Sequence, residues 1–138
     1  MGTITYFAYG SNMSFKRLKK RVESAKSKGK AVLRSHRLEF HKVSKDGSGK
    51  CDIVPSNESD VVWGRLYHID VRDEQHLDRY EGLGYGCEKK CVTVELDSET
   101  TVCAVTYHAT EIDCTLKPYT WYRKHVLVGA KEVCLPPD

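Results

Sequence analysis

The sequence predicts an α+β fold, a small mixed β-barrel with flanking helices. Runs of β-branched and aromatic residues outnumber helical stretches, and the two do not alternate as a doubly wound α/β sheet requires. The chain of 138 residues is 40% hydrophobic and 30% charged, enough apolar side chain to close one core. We therefore read residues 1–138 as a single domain.

Residues 3–9 (Thr-Ile-Thr-Tyr-Phe-Ala-Tyr) predict a buried strand that Gly10-Ser11-Asn12 breaks. Ser14 is placed to cap a helix whose apolar positions Phe15, Leu18, Val22 and Ala25 recur at helical spacing, with Gly29 as its stop. Residues 31–43 and 51–54 predict strands joined by the polar, glycine-rich loop 44–49. In 61–69, Val61, Trp63, Arg65, Tyr67 and Ile69 alternate with Val62, Gly64, Leu66 and His68, the period of a strand. Residues 70–80 have an acidic first turn and the apolar positions Val71, Leu77 and Tyr80, which predicts a helix ending at Glu81-Gly82. Residues 90–96 and 101–110 form a hairpin pair. Pro118 opens a last helix over 118–128, stopped by Gly129-Ala130.

The net charge of +3 conceals an asymmetry. Residues 16–45 hold 12 Lys/Arg against 2 acids, and the remainder 10 against 17. Such a segment suits a polyanion, yet aromatics are not interleaved through it as nucleic-acid readers require, with Phe15 and Phe40 lying only near its ends. It is read as the solvated face of the first helix and the strand that follows. No apolar run approaches the ~20 residues that span a bilayer, and no secretory signal is seen. Met1-Gly2 is not followed by the Ser or Thr at residue 6 that myristoylation wants. The six cysteines (Cys51, Cys87, Cys91, Cys103, Cys114 and Cys134) form no C-x-x-C pair, so no metal site is expected. They are read as mostly buried small hydrophobes in a reducing, cytoplasmic compartment, with Cys87 and Cys91 on one strand face. Trp63 and Trp121 are read as core or pocket wall.

Two constellations carry chemistry. At Tyr9-Gly10-Ser11-Asn12 a glycine turn feeds a helix N-terminus, which aims backbone N–H groups at one point where an anion or a developing oxyanion can sit. An ordinary capped turn would use the same residues. Glu81 is a lone carboxylate at a helix C-terminus, where an anion is disfavoured and titrates high unless paired; that suits a general base, although a solvated glutamate would look alike. No G-x-S-x-G elbow or cysteine-nucleophile signature is present.

Taken in order, Tyr6-Phe7-Ala8-Tyr9-Gly10-Ser11-Asn12-Met13, Val62-Trp63-Gly64, Leu77-Asp78-Arg79-Tyr80-Glu81-Gly82 and Gly129-Ala130-Lys131-Glu132 with Leu135-Pro136 resemble the gamma-glutamylcyclotransferase family, a fold group that includes AIG2-like proteins. The resemblance covers nearly the whole chain. It implies a small barrel and an enzyme that converts a γ-glutamyl amide to 5-oxoproline and a free amine, with no cofactor. By motif, Tyr6, Phe7, Ala8, Tyr9, Gly10 and Ser11, with Asn12, form the substrate cradle, Glu81 is the acid/base, and Tyr107 and Tyr122 are pocket tyrosines. After Glu81-Gly82 the pattern departs, because relatives often carry an aromatic where Glu88 stands and here Tyr85 comes earlier. The partner implied is a small γ-glutamyl substrate, with neither nucleic acid nor membrane; a homodimer is compatible. The Y-G-S-N turn resembles the group acting on γ-glutamyl amino acids more than those acting on γ-glutamyl-lysine or glutathione. The competing classes are a non-enzymatic small-acid-binding protein and a basic nucleic-acid-binding module.

Overall fold

The structure, a computed structural model, describes residues 2–43, 49–81, 83–84, 87–96, 100–110, 112, 126–128 and 130–131. The elements run β1 (Thr3–Ala8), α1 (Phe15–Arg21), β2 (Lys26–Arg34), β3 (His36–Val43), β4 (Gly49–Pro55), β5 (Val61–Asp70), α2 (Glu74–Glu81), β6 (Cys87–Glu95) and β7 (Thr101–Ala109), with 3₁₀ turns at Ser11–Met13 and Val71–Asp73. Five strands close a barrel in the order β1-β5-β2-β6-β7, and β3-β4 form a separate two-stranded ribbon. None of the helices among the described residues is long and apolar enough to cross a membrane.

Alternation along the strands sorts the apolar residues into two clusters. Phe7, Tyr9, Ala31, Leu33, Val62, Leu66, Val92, Val94 and Ala104 form the first, joined by Cys51 and Ile53 of the ribbon. Tyr6, Ala8, Tyr67, Ile69, Cys87 and Tyr107 take the opposite face and pack with Leu18 and Val22 of the α1 region and Leu77 of α2. One strand thus serves both. β1 pairs with β5 from Thr3↔Asp70 to Ala8↔Arg65, so Phe7 lies opposite Leu66 and Tyr6 opposite Tyr67. Gly64 makes this register possible: a Cβ there would stand 2.5 Å from the Ala8 carbonyl oxygen and 2.6 Å from the Phe7 ring.

Several boundaries differ from the sequence expectation. α1 ends at Arg21, with Val22 already extended, although Ala25 still packs into the same cluster. The apolar spacing continues past the helix because the departing chain lies against the same surface. Gly29 is not a helix stop. It has φ +96° at a bulge in β2 between Ser27 and Gly29. Residues 31–43 are two strands, broken at Ser35 (φ 62°), whose N–H donates to Asp60 O and whose carbonyl accepts from Ser56 N–H, each at 2.8 Å. The β3-β4 ribbon leaves and returns at this point. β6 begins earlier than expected and pairs with β7 from Cys87↔Ala109 to Glu95↔Thr101. Trp63 is only half-buried outside both clusters, with the Lys30 ammonium 6.0 Å from its ring centroid. Of the described cysteines, Cys51 and Cys87 are buried within the two clusters, but Cys91 and Cys103 are exposed and belong to neither, so strand alternation alone does not bury them. The last expected helix and Trp121 lie largely outside the described residues; residues 126–128 are helical, as are 130 and 131, past the expected stop.

Gly64→Ala should lower the unfolding free energy by about 1–3 kcal/mol, as overpacking of a closed core does. A lower urea midpoint at unchanged slope would register it, and a midpoint equal to wild type would show that the Phe7 ring and the Ala8 backbone yield without cost.

Candidate active site

The site forms where the C-terminal end of β1, the turn after it and the last turn of α2 meet. β1 places Tyr6 on the helix-covered face, stacked on Tyr67 with ring centroids 6.2 Å apart and edge-on to Tyr107 at 5.9 Å. The Ser11–Met13 turn closes through Met13 N–H to Gly10 O at 3.0 Å. Its outgoing carbonyls are held by β5: Tyr67 Oη lies 2.8 Å from Asn12 O, and the buried Arg65 donates to Met13 O at 2.9 Å and to Ser27 Oγ at 2.8 Å. Ser14 caps α1 by accepting from Arg17 N–H at 3.5 Å.

Asn12 is buried, and its Nδ2 donates to Glu81 Oε1 at 2.8 Å. Tyr6 Oη donates to the same oxygen at 3.1 Å and accepts from Asn12 Nδ2 at 3.2 Å. Arg21 Nη1 lies 3.4 Å from Asn12 Oδ1, which turns the amide so that its nitrogen faces Glu81, and the Arg21 guanidinium covers the Tyr80 ring at 4.9 Å. The Glu81 side chain is 21% exposed, and its second oxygen, Oε2, stands 3.8 Å from Lys42 Nζ of β3. The carboxylate at the helix C-terminus is therefore paired.

A second network fixes α2 against the hairpin. Tyr107 Oη donates to Asp78 Oδ1 at 2.5 Å, and Lys89 Nζ reaches Asp78 at 2.9 Å and Glu74 at 2.6 Å. Burial works against the Lys89 charge, but the hydrogen bonds to Glu74 and Asp78 outweigh it and raise its pKa. Burial, then the Glu81 charge, push the Tyr6 phenol well above its ordinary value despite the Asn12 hydrogen bond. Tyr107 is raised too, by burial and then by its bond to Asp78. Both phenols therefore remain protonated donors at neutral pH. Burial likewise pushes the Cys87 thiol up to about 11, with Lys42 acting against the shift and Glu81 adding to it.

The residues expected from sequence separate here. Tyr6, Asn12 and Glu81 meet directly, and Tyr107 adjoins them. Tyr9 lies behind, donating to Tyr107 O at 2.5 Å. The Phe7 and Ala8 side chains are buried in the core, and Phe7 O accepts from Thr106 Oγ1 at 2.8 Å. Gly10 and Ser11 provide backbone at the turn. Tyr122 and Tyr85 lie outside the described residues, and Glu88 is exposed. Asp78, Lys89, Arg65 and Lys42 were not foreseen. Asp78 had a local signal, standing three residues before Glu81 on the same helix face; Lys42 had none.

With this geometry in view, comparison with known proteins places the chain. The AIG2-like family model matches residues 61–138. Gamma-glutamylcyclotransferase of Bos taurus is 30% identical over 136 residues, 95% of this chain and 72% of that one. The Homo sapiens protein of the same name is 31% identical over 139 residues with the same coverage. The chain belongs to the AIG2-like, gamma-glutamylcyclotransferase family. A solved gamma-glutamyl cyclotransferase superposes with a TM-score of 0.91 at 28% identity, covering 98% of this chain and 82% of that one. Within this family fold, the Tyr6-Asn12-Glu81 cluster joins two of the four sequence segments that carried the resemblance, the Y-G-S-N turn and the helix-terminal E-G.

At pH ~7.5 the exposed Cys91 and Cys103 should be alkylated by iodoacetamide while Cys87 stays unmodified, since only the thiolate reacts. Peptide mapping by mass spectrometry separates the sites. Modification of Cys87 at the rate of the exposed pair would contradict its burial.

Proposed function

We propose that this chain is a gamma-glutamylcyclotransferase that cyclises a γ-glutamyl amino acid to 5-oxoproline and releases the free amino acid, with Glu81 as the general acid/base. The observation that carries this reading is the Glu81 carboxylate, which takes hydrogen bonds from Tyr6 and Asn12 on one oxygen and presents the other toward Lys42. The family relationship supplies the reaction class.

In the reaction the substrate's α-nitrogen attacks its own γ-carbonyl carbon. A new C–N bond closes the five-membered lactam, the old amide C–N bond breaks, and the protons lost by the α-nitrogen are those gained by the leaving nitrogen. The α-amine arrives mostly as an ammonium ion at neutral pH. A base must unload it, and the same group can pass the proton to the departing nitrogen, which is the work assigned to Glu81. The γ-carbonyl oxygen becomes anionic on the way, and backbone N–H groups of the Tyr9–Ser11 turn are the donors proposed for it or for the substrate α-carboxylate. Tyr107 and Tyr122 would wall the pocket and fold the glutamyl chain into an attacking conformation, while Tyr9, expected from sequence as a third wall, supports Tyr107 from the core side. The resemblance of the Y-G-S-N turn to the group acting on γ-glutamyl amino acids supports these substrates over γ-glutamyl-lysine and glutathione. A reducing, cytoplasmic setting belongs to this reading and is supported by the free described cysteines, two of them exposed.

Release of 5-oxoproline from γ-glutamyl-alanine, exceeding that from γ-glutamyl-lysine and glutathione, is the expected outcome of a three-substrate assay. Glu81→Gln should keep the far-ultraviolet circular dichroism of wild type and lose turnover by about a thousandfold or more, since the amide cannot carry the proton. Wild-type turnover from that variant would remove Glu81 from the reaction. Tyr122→Phe should raise KM severalfold without changing the unfolding midpoint, and an unchanged KM would take Tyr122 out of the pocket.

A further inference from the structure

Most described lysines and arginines of residues 16–45 lie in water or partly so, as a solvated face should. Lys42 departs from this. Its side chain is only 15% exposed, and its Nζ donates to the main-chain carbonyl oxygen of Glu81 at 3.0 Å while standing 3.8 Å from Oε2 of the same residue. The β3-β4 ribbon delivers it there, through pairing of Lys42 with Lys50 and a bridge from Lys42 to Ile112 beyond β7. Asp52 on the neighbouring strand secures the ribbon by accepting from Ala109 N–H at 2.8 Å.

The last turn of α2 needs such a cation. Its final carbonyls lack intrahelical donors, the helix terminus carries partial negative charge, and Asp78 and Glu81 add two carboxylates on one side. We propose that Lys42 is a further positioning residue of the cyclisation, holding the Glu81 backbone and carboxylate in the orientation that presents Oε2 to the substrate. The inference rests on the assignment of Glu81 as the acid/base. Its crux is a division of labour within one side chain. The hydrogen bond goes to the carbonyl, and the carboxylate oxygen is attracted across a distance too long for a hydrogen bond. Lys42 therefore balances the charge without occupying the lone pair that must receive the substrate's proton. Tyr6 and Asn12 grip Oε1, so the plane of the carboxylate is set from both sides.

Lys42→Met keeps the apolar stem and removes the charge and the donor. With γ-glutamyl-alanine it should lower kcat by about tenfold or more while KM stays within about threefold, because the loss falls on the transition state. Lys42→Ala assayed with added ethylammonium should regain part of that kcat, which a merely structural role would not allow. Lys42→Gln, which can still reach the carbonyl, provides the charge test should the other variants fold poorly, and should show the same fall in kcat. A wild-type kcat in the folded Met or Gln variant, or a rise in KM alone, overturns the proposal. Glu81→Gln run alongside separates the two readings. If it turns over normally, the acid/base assignment fails; if it is inactive while the Lys42 variants behave as wild type, only the role of Lys42 fails.

Discussion

A carboxylate at the C-terminal end of a helix faces the negative pole of the helix dipole, and the structure answers this at Glu81 by bringing donors from three distant parts of the chain. Tyr6 comes from β1, Asn12 from the turn after it, and Lys42 from the β3-β4 ribbon. None of these is a sequence neighbour. The position of one side chain thus depends on the barrel being closed and on α2 being docked in one orientation. The docking is secured by the Tyr107-Asp78 and Lys89-Asp78-Glu74 contacts, and the turn by Arg65 and Tyr67. Each half of the site has its own anchors, on β6 and β7 for α2 and on β5 for the turn.

Strand parity connects the barrel interior to the chemistry. On β1, Phe7 faces the cluster it shares with Leu66, and Tyr6 faces the helices, so a slip of one residue against β5 would exchange them. The Phe7 ring resists that slip because it fills the space left by Gly64. Tyr6 then meets Tyr67 on the outer face and points its hydroxyl at Glu81. A glycine in a core strand acts here on a hydrogen bond that it does not touch.

Much of this was legible in sequence where the signal is local. The strand into Tyr9, the cap at Ser14 and the helix ending at Glu81 all rest on neighbouring residues, and they recur in the structure at nearly the expected places. Resemblance supplied the pairing of the Y-G-S-N turn with Glu81, which no periodicity encodes. What failed depended on long-range packing. Val22 and Ala25 keep helical spacing because the surface they cover continues, not because the helix does. Ser35 breaks an apparently continuous strand by hydrogen bonds to Ser56 and Asp60, more than twenty residues away. Lys42 looked like one more basic residue in a basic segment, and only the fold of the ribbon gives it a partner.

The electrostatic surroundings of Glu81 also limit where a proton can go. Tyr6 and Tyr107 are held as neutral phenols by burial first and by nearby carboxylates second, and the Cys87 thiol is pushed to about 11 by the same burial. At neutral pH these three groups stay protonated, although each lies close enough to feel the charge on Glu81 or Asp78. Tyr6 can therefore orient the carboxylate without becoming a competing acid, which suits the acid/base role proposed for Glu81.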